Sequence, residues 1–473
     1  MSWRARATIG SRAKSLLFIR TLFCRKNLPI MRATESQAQY VAAYKRIMSG
    51  AAKRLPAWLS ALRDEGFARF EALGFPTLKD EDWKYTPVEP ITGQSFARAN
   101  GEATRVSPSD FVTRSMIDPT APRLVFVNGI YTPDLSRTGN LERGVVVASL
   151  GDFINADEKT AAASLGRYAS GQRQPFVALN TAFLEDGAVV SLGSGCRADG
   201  PIYLVFLSSG EGQPVVSHPR TLILLGAGSE AKIIESFLGL PGGAYFCNPV
   251  TELVAGPNTA IEHYRLQQES DAGYHIGALV AHLERGSQLT AHAVSLAGAL
   301  VRNNVRVVLN GEGAECTLNG LYLADGKQHI DNFTEIEHAK PHASSWELYK
   351  GILGGSAHGV FNGKIVVHKD AQKTNARQTN KNLLLSENAV VNTQPQLEIY
   401  ADDVKCSHGS SVGQMDGDAL FYLRSRGLGL EEAKNLLSFA FARDVVGRMK
   451  IDSLRQRLDD YLVARLEGPR WSS

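Results

Sequence analysis

A short motif of small and turn-forming residues recurs through the middle of this chain, and a short alternating strand pattern follows each copy. Four copies lie at Leu225–Ser229, Ala255–Asn258, Glu284–Ser287 and Asn310–Gly313, and looser copies lie at Leu353–Ser356 and Leu385–Asn388. The first four copies end 26 to 29 residues apart, a period typical of stacked-coil architectures. Because one such unit cannot bury its apolar face alone, the units must stack on each other. The repeat therefore predicts a mainly β fold, a β-solenoid of the parallel β-helix type, with a β-sandwich of hairpins as the alternative.

The region before the repeats has a helical pattern. Apolar residues recur there at three- and four-residue spacing until Gly74 and Pro76 end the pattern, which predicts an N-terminal helical region over residues 31–120. Trp83 and Tyr85 follow, and we interpret them as packing anchors. The predicted β core spans residues 121–412. It includes a hairpin at Asn128-Gly129 and a helical excursion between residues 149 and 182.

A second helical region is predicted over residues 413–473. The glycines of Gly409–Gly413 break the strand pattern, so we place the end of the β core there. Asp416 or Asp418 is the predicted cap of a first helix, residues 430–446 form a second, and apolar positions from Ile451 to Leu466 mark a third. These helices either cap the open end of the solenoid or dock a partner.

The positive charge of the chain is concentrated at its start. Residues 1–30 contain seven Lys or Arg and no acidic residue, although the whole chain has a net charge of only +3. This basic head is interpreted as disordered, as a transit or signal segment, or as the product of an upstream start codon with Met31 as the true first residue. The remainder is slightly acidic, so no nucleic-acid partner is expected. No apolar run is long enough to span a membrane, so no membrane partner is expected either.

Cys406 and His408 form the most specific candidate metal site. They stand two residues apart in a strand pattern, so both side chains are expected on one face, where a thiolate and an imidazole can bind a soft metal. Lys405 is expected to favour the thiolate. The other cysteines, Cys24, Cys196, Cys247 and Cys316, are scattered and form no Cys-x-x-Cys pair. The pair is therefore half of a ligand set, or else a buried cysteine beside a surface histidine.

Histidines are also frequent between residues 329 and 368. The set comprises His329, His338, His342, His358 and His368. Imidazole suits iron, zinc and copper, yet histidines on a solvated strand face are common, so both interpretations stay open. Neither a Gly-x-x-x-x-Gly-Lys-Ser/Thr phosphate loop nor a Gly-x-Ser-x-Gly elbow occurs in the sequence.

Several motifs together resemble the SufD family, the scaffold subunits of the SUF system for iron–sulfur cluster assembly. The motifs are Gly74-Phe-Pro-Thr77, Trp83-Lys-Tyr-Thr86, Ala178-Leu-Asn180, Asp186-Gly187, Asn375–Leu385, Pro395–Ile399, Asp402–Gly409 and Leu420–Gly427. The resemblance runs from about Gly74 to the end of the chain. It implies a right-handed parallel β-helix core between N-terminal and C-terminal helical regions.

The resemblance also implies partners and a role. The chain would be a non-catalytic scaffold that pairs with the sister scaffold SufB through the β-helix and docks the ATPase SufC through its C-terminal helices. One SufB, one SufD and two SufC would form the complex, with ATP hydrolysis belonging to SufC. A homodimer would form when the chain is isolated. The predicted docking residues are Leu420, Phe421, Tyr422, Arg424, Arg426, Leu436 and Phe439.

The family's Cys-Ser-His segment lies at the interface with SufB, which makes Cys406 and His408 candidate ligands of a nascent, transient cluster whose other ligands come from the partner. SufB resembles this chain but carries a cysteine near Thr379, so this departure favours SufD.

A reduced flavin is associated with the family complex, although no site for it is indicated here. The expected location is cytoplasmic, or organellar if the basic head is a transit peptide. The rival functions are a β-solenoid enzyme acting on polysaccharide and a purely structural binding module.

Overall fold

The computed structural model describes residues 35–51, 55–98, 111, 115–139 and 141–468. The basic head, Met31 and Cys24 lie outside the described residues. Most of the described chain forms a solenoid of two parallel sheets, with helices before and after it. The predicted parallel β-helix between helical flanks is confirmed, and the alternative of a hairpin sandwich is wrong because the long strands pair in parallel.

Each coil of the solenoid contributes one strand to each sheet. In spatial order, sheet A contains β4 (Val145–Ser149), β5 (Gly187–Leu192), β8 (Arg220–Leu225), β11 (Val250–Ala255), β13 (Gly273–Leu283), β15 (Leu300–Leu309), β17 (His329–His338), β19 (His358–Val367) and β21 (Val390–Ile399). Sheet B contains β3 (Ile130–Tyr131), β2 (Arg123–Val127), β6 (Arg197–Ser208), β9 (Glu230–Gly239), β12 (Ala260–Gln268), β14 (Gln288–Ser295), β16 (Glu315–Ala324), β18 (Ser344–Leu353), β20 (Asn375–Leu384) and β22 (Lys405–Gln414). Three short strands form a side ladder: β1 (Ala97–Arg98), β7 (Val215–Ser217) and β10 (Tyr245–Cys247).

The predicted hairpin is one of the two antiparallel pairs in these sheets. Strands β2 and β3 pair antiparallel through Asn128 and Gly129, which both adopt positive φ angles of 49° and 81°. Asn and Gly favour that conformation, which matches the twist of the two strands. The hairpin prediction is therefore confirmed.

The sequence repeat corresponds to one corner of the solenoid. Stacked residues at the ends of successive sheet A strands recur every 26 to 32 positions: Leu225, Ala255, Leu283, Leu309, His338, Val367 and Ile399. The first four motif copies follow these strand ends. The two looser copies lie instead at the opposite corner, after β18 and β20, so their assignment to the same repeat position is wrong. Gly and Ser serve the turns at both corners, which is why the two were confused.

Inward-facing side chains of the two sheets form the core. One column of stacked residues on sheet B runs Ala231, Ile261, Leu289, Cys316, Ser345, Ala376 and Cys406. All but the last are buried.

The core also contains charged groups that the sequence patterns did not indicate. Glu235 accepts hydrogen bonds from Thr251 and Arg265, and it lies 2.9 Å from His263. Burial acts to raise the pKa of Glu235, but Arg265 and His263 outweigh it and hold that pKa below its ordinary value.

The helical excursion is confirmed and is tied to the solenoid by a buried ion pair. It consists of α4 (Leu150–Ala156), α5 (Glu158–Ser164) and α6 (Pro175–Ala182). Arg220 and Glu252 are fully buried, with 2.6 Å between their charged groups. Glu252 also accepts backbone N–H groups from residues 166, 168 and 169, while Arg220 donates to Asn180 on α6.

The N-terminal helices are α1 (Glu35–Ala51), α2 (Ala57–Leu73) and α3 (Glu89–Thr92). Trp83 is buried, and the guanidinium carbon of Arg302 lies 3.9 Å from a ring centroid of its indole. This contact joins the N-terminal region to sheet A and confirms Trp83 as a packing anchor. Tyr85 is half-buried, and the Lys84 ammonium lies 5.1 Å from its ring centroid.

The end of the β core differs from the prediction. β22 continues to Gln414, so Gly409–Gly413 lies within the strand and the interpretation of that stretch as a break is wrong. An added Cβ would meet nothing within 4 Å at either Gly409 or Gly413. Because nothing packs on that part of the strand, glycine is tolerated there without ending it.

The C-terminal helices follow as predicted: α7 (Gly417–Ser425), α8 (Leu430–Val446) and α9 (Asp452–Leu466). The side chain of Asp416 caps α7 by accepting the N–H groups of Asp418 and Ala419. α8 packs on sheet B, where the ammonium of Lys350 on β18 donates to Asp444 at 2.9 Å and to the Phe441 carbonyl at 3.0 Å. None of the helices in the described part of the chain is long and apolar enough to cross a bilayer.

Candidate functional site

The last coil leaves one end of the solenoid open. Strand β21 pairs with β19, and β22 pairs with β20, over ten residues each. Among the described residues no strand pairs with the outer edge of either one. Two adjacent edges therefore present unpaired backbone N–H and C=O groups, which are templates for further strand pairing.

Cys406 lies at this open end, and its side chain faces the interior of the solenoid between the two sheets, which we call the lumen. It is the register partner of Ala376, is half-buried and packs against the solenoid core. Burial raises the pKa of its thiol, although a backbone hydrogen bond with Ala376 opposes the shift. The expectation that Lys405 favours the thiolate is therefore wrong, since successive strand residues point to opposite faces. The neutral thiol is favoured until a metal displaces its proton.

His408 lies on the same strand and is exposed at the rim of the lumen. It is the register partner of Gln378 on β20, and both residues line a shallow groove of about 390 Å³. Residues two apart on a strand point to the same face, about 7 Å apart along it. Cys406 and His408 thus stand close enough to share one cluster, as the sequence spacing suggests.

Thr379 is the residue at which the resemblance places a cysteine in SufB. It lies on β20 as the register partner of Gly409, and its side chain points away from the lumen because it alternates with Gln378. No thiol of this chain occupies that position.

The five histidines between residues 329 and 368 do not form a metal centre. In the described ranges no three His, Cys, Asp or Glu side chains come together in a metal-binding arrangement. His329 and His358 are neighbours, with ring centroids 4.7 Å apart, yet Nε2 of His329 lies 3.0 Å from the Thr86 hydroxyl and Nε2 of His358 lies 2.6 Å from the Asn392 carbonyl oxygen. His338 contacts Ser345, and His368 contacts Glu337. His358 and His368 thus connect neighbouring coils, whereas His329 contacts the N-terminal region and His338 contacts the next strand along the chain.

The C-terminal helices present a second exposed surface. No residue of α7 is buried, and Phe421 and Tyr422 are 75% and 56% exposed. Leu436 on α8 is also exposed, whereas Leu420 and Phe439 are half-buried. Arg424 and Arg426 are exposed, and the guanidinium carbon of Arg426 lies 5.1 Å from the ring centroid of Tyr422. An aromatic, basic surface on a helix with no buried side is characteristic of an interaction site.

The sequence analysis did not identify a pair of buried polar residues that lies beneath His408. Gln378 donates through Nε2 to Oε2 of Glu347 at 2.7 Å, and both residues are buried in the lumen. Both residues occupy inward-facing positions of their strands, where apolar side chains are expected. Polar residues at these alternate positions were the sequence signal that could have revealed the pair.

The fold and this site define a class: a β-solenoid with an open terminal coil, a thiol and an imidazole at that opening, and a helical tail with an exposed aromatic surface. Residues 206–441 match the SufBD core domain of the SUF system for FeS cluster assembly, and residues 34–204 match the SufBD protein N-terminal region. The chain belongs to the SufBD family of iron–sulfur cluster assembly proteins.

Curated relatives agree over most of the chain. An iron–sulfur cluster assembly SufBD family protein of Synechocystis is 33% identical, with 83% of this chain and 88% of the relative covered. The iron–sulfur cluster assembly protein SufD of Escherichia coli is also 33% identical, over 84% and 90% of the two chains. The chloroplastic protein ABCI7 of Arabidopsis thaliana is 29% identical, over 86% of each. The resemblance to SufD is confirmed, and the chain is a SufD-type component of iron–sulfur cluster assembly.

The position of Cys406 predicts how its thiol reacts. Because its pKa is raised, alkylation by iodoacetamide should be slow at pH 7 and accelerate as the pH rises past about 9. Site-resolved mass spectrometry on the folded chain measures this rate, and Cys406→Ser identifies the signal. The fully buried Cys247 and Cys316 serve as internal controls that should stay unmodified at every pH. Rapid modification of Cys406 at pH 6 would contradict the placement.

Proposed function

We propose that this chain is a non-catalytic scaffold that pairs with SufB through its open solenoid end and docks the ATPase SufC through its C-terminal helices. The single observation that carries the proposal is the open last coil: no described strand pairs with the outer edge of β21 or β22, and Cys406 and His408 lie on β22. A cytoplasmic location is proposed. The chloroplastic relative supports an organellar location for a chain with a working transit segment.

Strand addition at the open coil accounts for the pairing. β21 and β22 each offer a ten-residue edge, and a second solenoid placed end to end would continue both sheets through main-chain hydrogen bonds. Exposed apolar side chains at the same end, Val390, Ile399 and Val412, would be covered by the partner. Two copies of this chain would pair through the same edges when SufB is absent, which gives the homodimer expected of the isolated chain.

The nascent iron–sulfur cluster is the cargo of this interface. Cys406 and His408 supply a thiolate and an imidazole from one face of β22, and SufB would supply the remaining ligands. The half-buried Cys406 thiol loses its proton on binding iron, while the exposed His408 imidazole can reach across the interface. Family membership favours this role over a polysaccharide-active enzyme or a purely structural module.

The energy would come from SufC through α7 and α8. SufC dimerisation on ATP would pull the exposed face of α7, which joins β22 directly. α8 would carry the same movement into sheet B, because Lys350 on β18 is held by Asp444 and by the Phe441 carbonyl. The displacement would reach the coils beside Cys406 and His408 and change the SufB interface.

The largest cavity with aromatic walls among the described residues does not fit a reduced flavin. This cavity of about 480 Å³ has aromatic walls that include Phe96 and Phe183, but its charged groups are unsuitable for a flavin phosphate. Arg98 is already paired with Glu185 at 2.6 Å, and Asp186 lies beside them. Arg98 is the only arginine or lysine among the residues that line this cavity, and it is engaged by that ion pair. No step of the proposed function involves a flavin.

Co-expression with SufB and SufC tests the proposal. The three proteins should co-purify as one complex, and the anaerobic complex should assemble a cluster when supplied with Fe²⁺ and sulfide. Failure of this chain to co-purify with either partner would overturn the scaffold function.

The exposed surface of α7 gives a sharper test of SufC docking. Phe421→Asp should weaken SufC binding by at least tenfold without lowering the Tm, because the Phe421 side chain is exposed and its replacement opens no cavity. Calorimetric titration of SufC into the SufB-bound chain measures the loss. The matched control is Leu78→Asp, at an exposed apolar residue of the N-terminal region, far from α7 in sequence. This variant should bind SufC normally. Equal SufC affinity in the two variants would remove α7 from the docking surface.

A further inference from the structure

A column of polar side chains lies in the lumen beneath His408. Glu347 on β18, Gln378 on β20 and His408 on β22 are successive register partners in sheet B. Partners in a parallel sheet point to the same side, so the three side chains are stacked one coil apart. Glu347 and Gln378 are 3% and 1% exposed, whereas His408 is exposed. His408 is thus the outer end of a column whose inner members are sealed from solvent.

The amide of Gln378 is confined within this column. It donates to Glu347 at 2.7 Å on the inner side. On the opposite sheet it faces Gly363, where an added Cβ would collide with the Gln378 amide. The amide is therefore held against the Glu347 carboxyl and the opposite sheet.

One buried oxygen in the column lacks a hydrogen-bond partner. Oε1 of Gln378 has none within the described chain, whereas the Thr334 hydroxyl across the lumen acts on the Glu347 carboxyl and opposes the rise in its pKa. An unpaired buried acceptor costs about 1–3 kcal/mol. Glu347 already takes the N–H side of the Gln378 amide, so the Gln378 oxygen is available to the next group outward in the register, His408.

We propose that Gln378, held in place by Glu347, is a positioning residue that sets which ring nitrogen of His408 carries the hydrogen and hence which nitrogen is free to bind iron. When Glu347 is ionised, it accepts the Gln378 N–H, and the Gln378 carbonyl accepts an N–H from the His408 ring. The other ring nitrogen then keeps its lone pair for the metal, as in histidine ligands that donate their second N–H to a carbonyl. This inference rests on the proposed role of His408 as a ligand.

A proton on Glu347 reverses this polarity. The carboxyl O–H then donates to the Gln378 oxygen, which requires the amide to rotate by half a turn. The amide N–H₂ group then donates a hydrogen bond to the ring nitrogen of His408 that faces it. Burial raises the pKa of Glu347 to about 7, while the hydrogen bonds from Gln378 and Thr334 oppose the shift. The other titratable groups that act on it, Cys316 and Tyr349, have pKa values raised by burial and stay neutral near pH 7. The ligand-competent form of His408 therefore predominates above pH 7.

Nitrogen-15 NMR of the histidine rings in the full chain tests the proposal directly. The ratio of the two neutral His408 tautomers should change between pH 6.5 and 8.5 in the wild type. It should stay constant in Glu347→Gln, an isosteric variant that cannot ionise. Gln378→Leu should give the tautomer mixture of a free histidine, and Gln288→Leu, at an exposed glutamine of the same sheet, should match the wild type. Wild-type tautomer behaviour in both Glu347→Gln and Gln378→Leu would overturn the inference.

The assembly rate gives the second measurement. In the anaerobic three-protein complex supplied with Fe²⁺ and sulfide, Gln378→Leu should slow cluster formation about 10- to 100-fold. Glu347→Gln should abolish the rise in rate between pH 6.5 and 8.5. Failure of the inference is distinguishable from failure of the proposed function: normal assembly by His408→Ala refutes the ligand role, whereas unchanged tautomers refute only the positioning role.

Discussion

Replacing His408 with alanine is expected to abolish cluster assembly by the three-protein complex while leaving the complex itself intact. His408 is exposed at the rim of the lumen, so its removal takes away a ligand without opening a cavity. The backbone edge of β22, which is the proposed pairing surface, is unchanged by the substitution. Anaerobic reconstitution with Fe²⁺ and sulfide, followed by absorption and Mössbauer spectroscopy, measures the bound cluster.

Two comparisons make this result interpretable. His368→Ala removes another exposed imidazole, which contacts Glu337 at 2.8 Å, and should assemble clusters at the wild-type rate. Cys406→Ala should also lose the cluster, because the thiolate and the imidazole belong to one ligand set. A full yield of cluster from His408→Ala in an intact complex would contradict the ligand role of this residue.

Replacing Arg220 with alanine should destabilise the fold more than any surface change. Glu252 would remain fully buried without its cation, and breaking such a pair costs about 3–5 kcal/mol. The substitution also removes the bond to Asn180 that ties α6 to the solenoid. Urea unfolding followed by circular dichroism should show a clear fall in the midpoint.

The matched control is Arg197→Ala, which removes an exposed ion pair with Glu230 on the same solenoid. Exposed pairs contribute about 0–1 kcal/mol, so this variant should unfold near the wild-type midpoint. Equal losses in the two variants would mean that the Arg220–Glu252 pair does not anchor the helical excursion.

The parts of the fold that depend on local chemistry could be predicted from the sequence. The Asn128-Gly129 turn, the Asp416 cap and the repeated corner motif each follow from backbone preferences of a few residues. The spacing of Cys406 and His408 likewise fixed their common face. The corners at Leu353 and Leu385 were misassigned because glycine and serine do not distinguish one corner from the other.

The polar residues of the lumen could not be predicted, because at some positions a polar side chain points inward while an apolar neighbour points to solvent. At Trp346-Glu347 the tryptophan is 39% exposed and the glutamate is buried, the reverse of what residue type alone suggests. Residues on other strands decide this arrangement: Gln378, one coil away, satisfies one carboxylate oxygen, and Gly363 on the opposite sheet supplies the space. The same applies to Arg220 and Glu252, which are 32 residues apart and whose pairing no local pattern indicates.

Hydrogen–deuterium exchange across the open coil tests the central claim most directly. Backbone amides of residues 390–399 and 405–414 are compared in the chain, diluted until sedimentation shows a monomer so that no homodimer covers the same edges, and in its complex with SufB. The interior strand β15 serves as reference. End-to-end pairing predicts that exchange in β21 and β22 slows markedly in the complex, while β15 is unchanged. A stable complex in which both edge strands exchange as fast as in the free chain would contradict pairing through the open end of the solenoid.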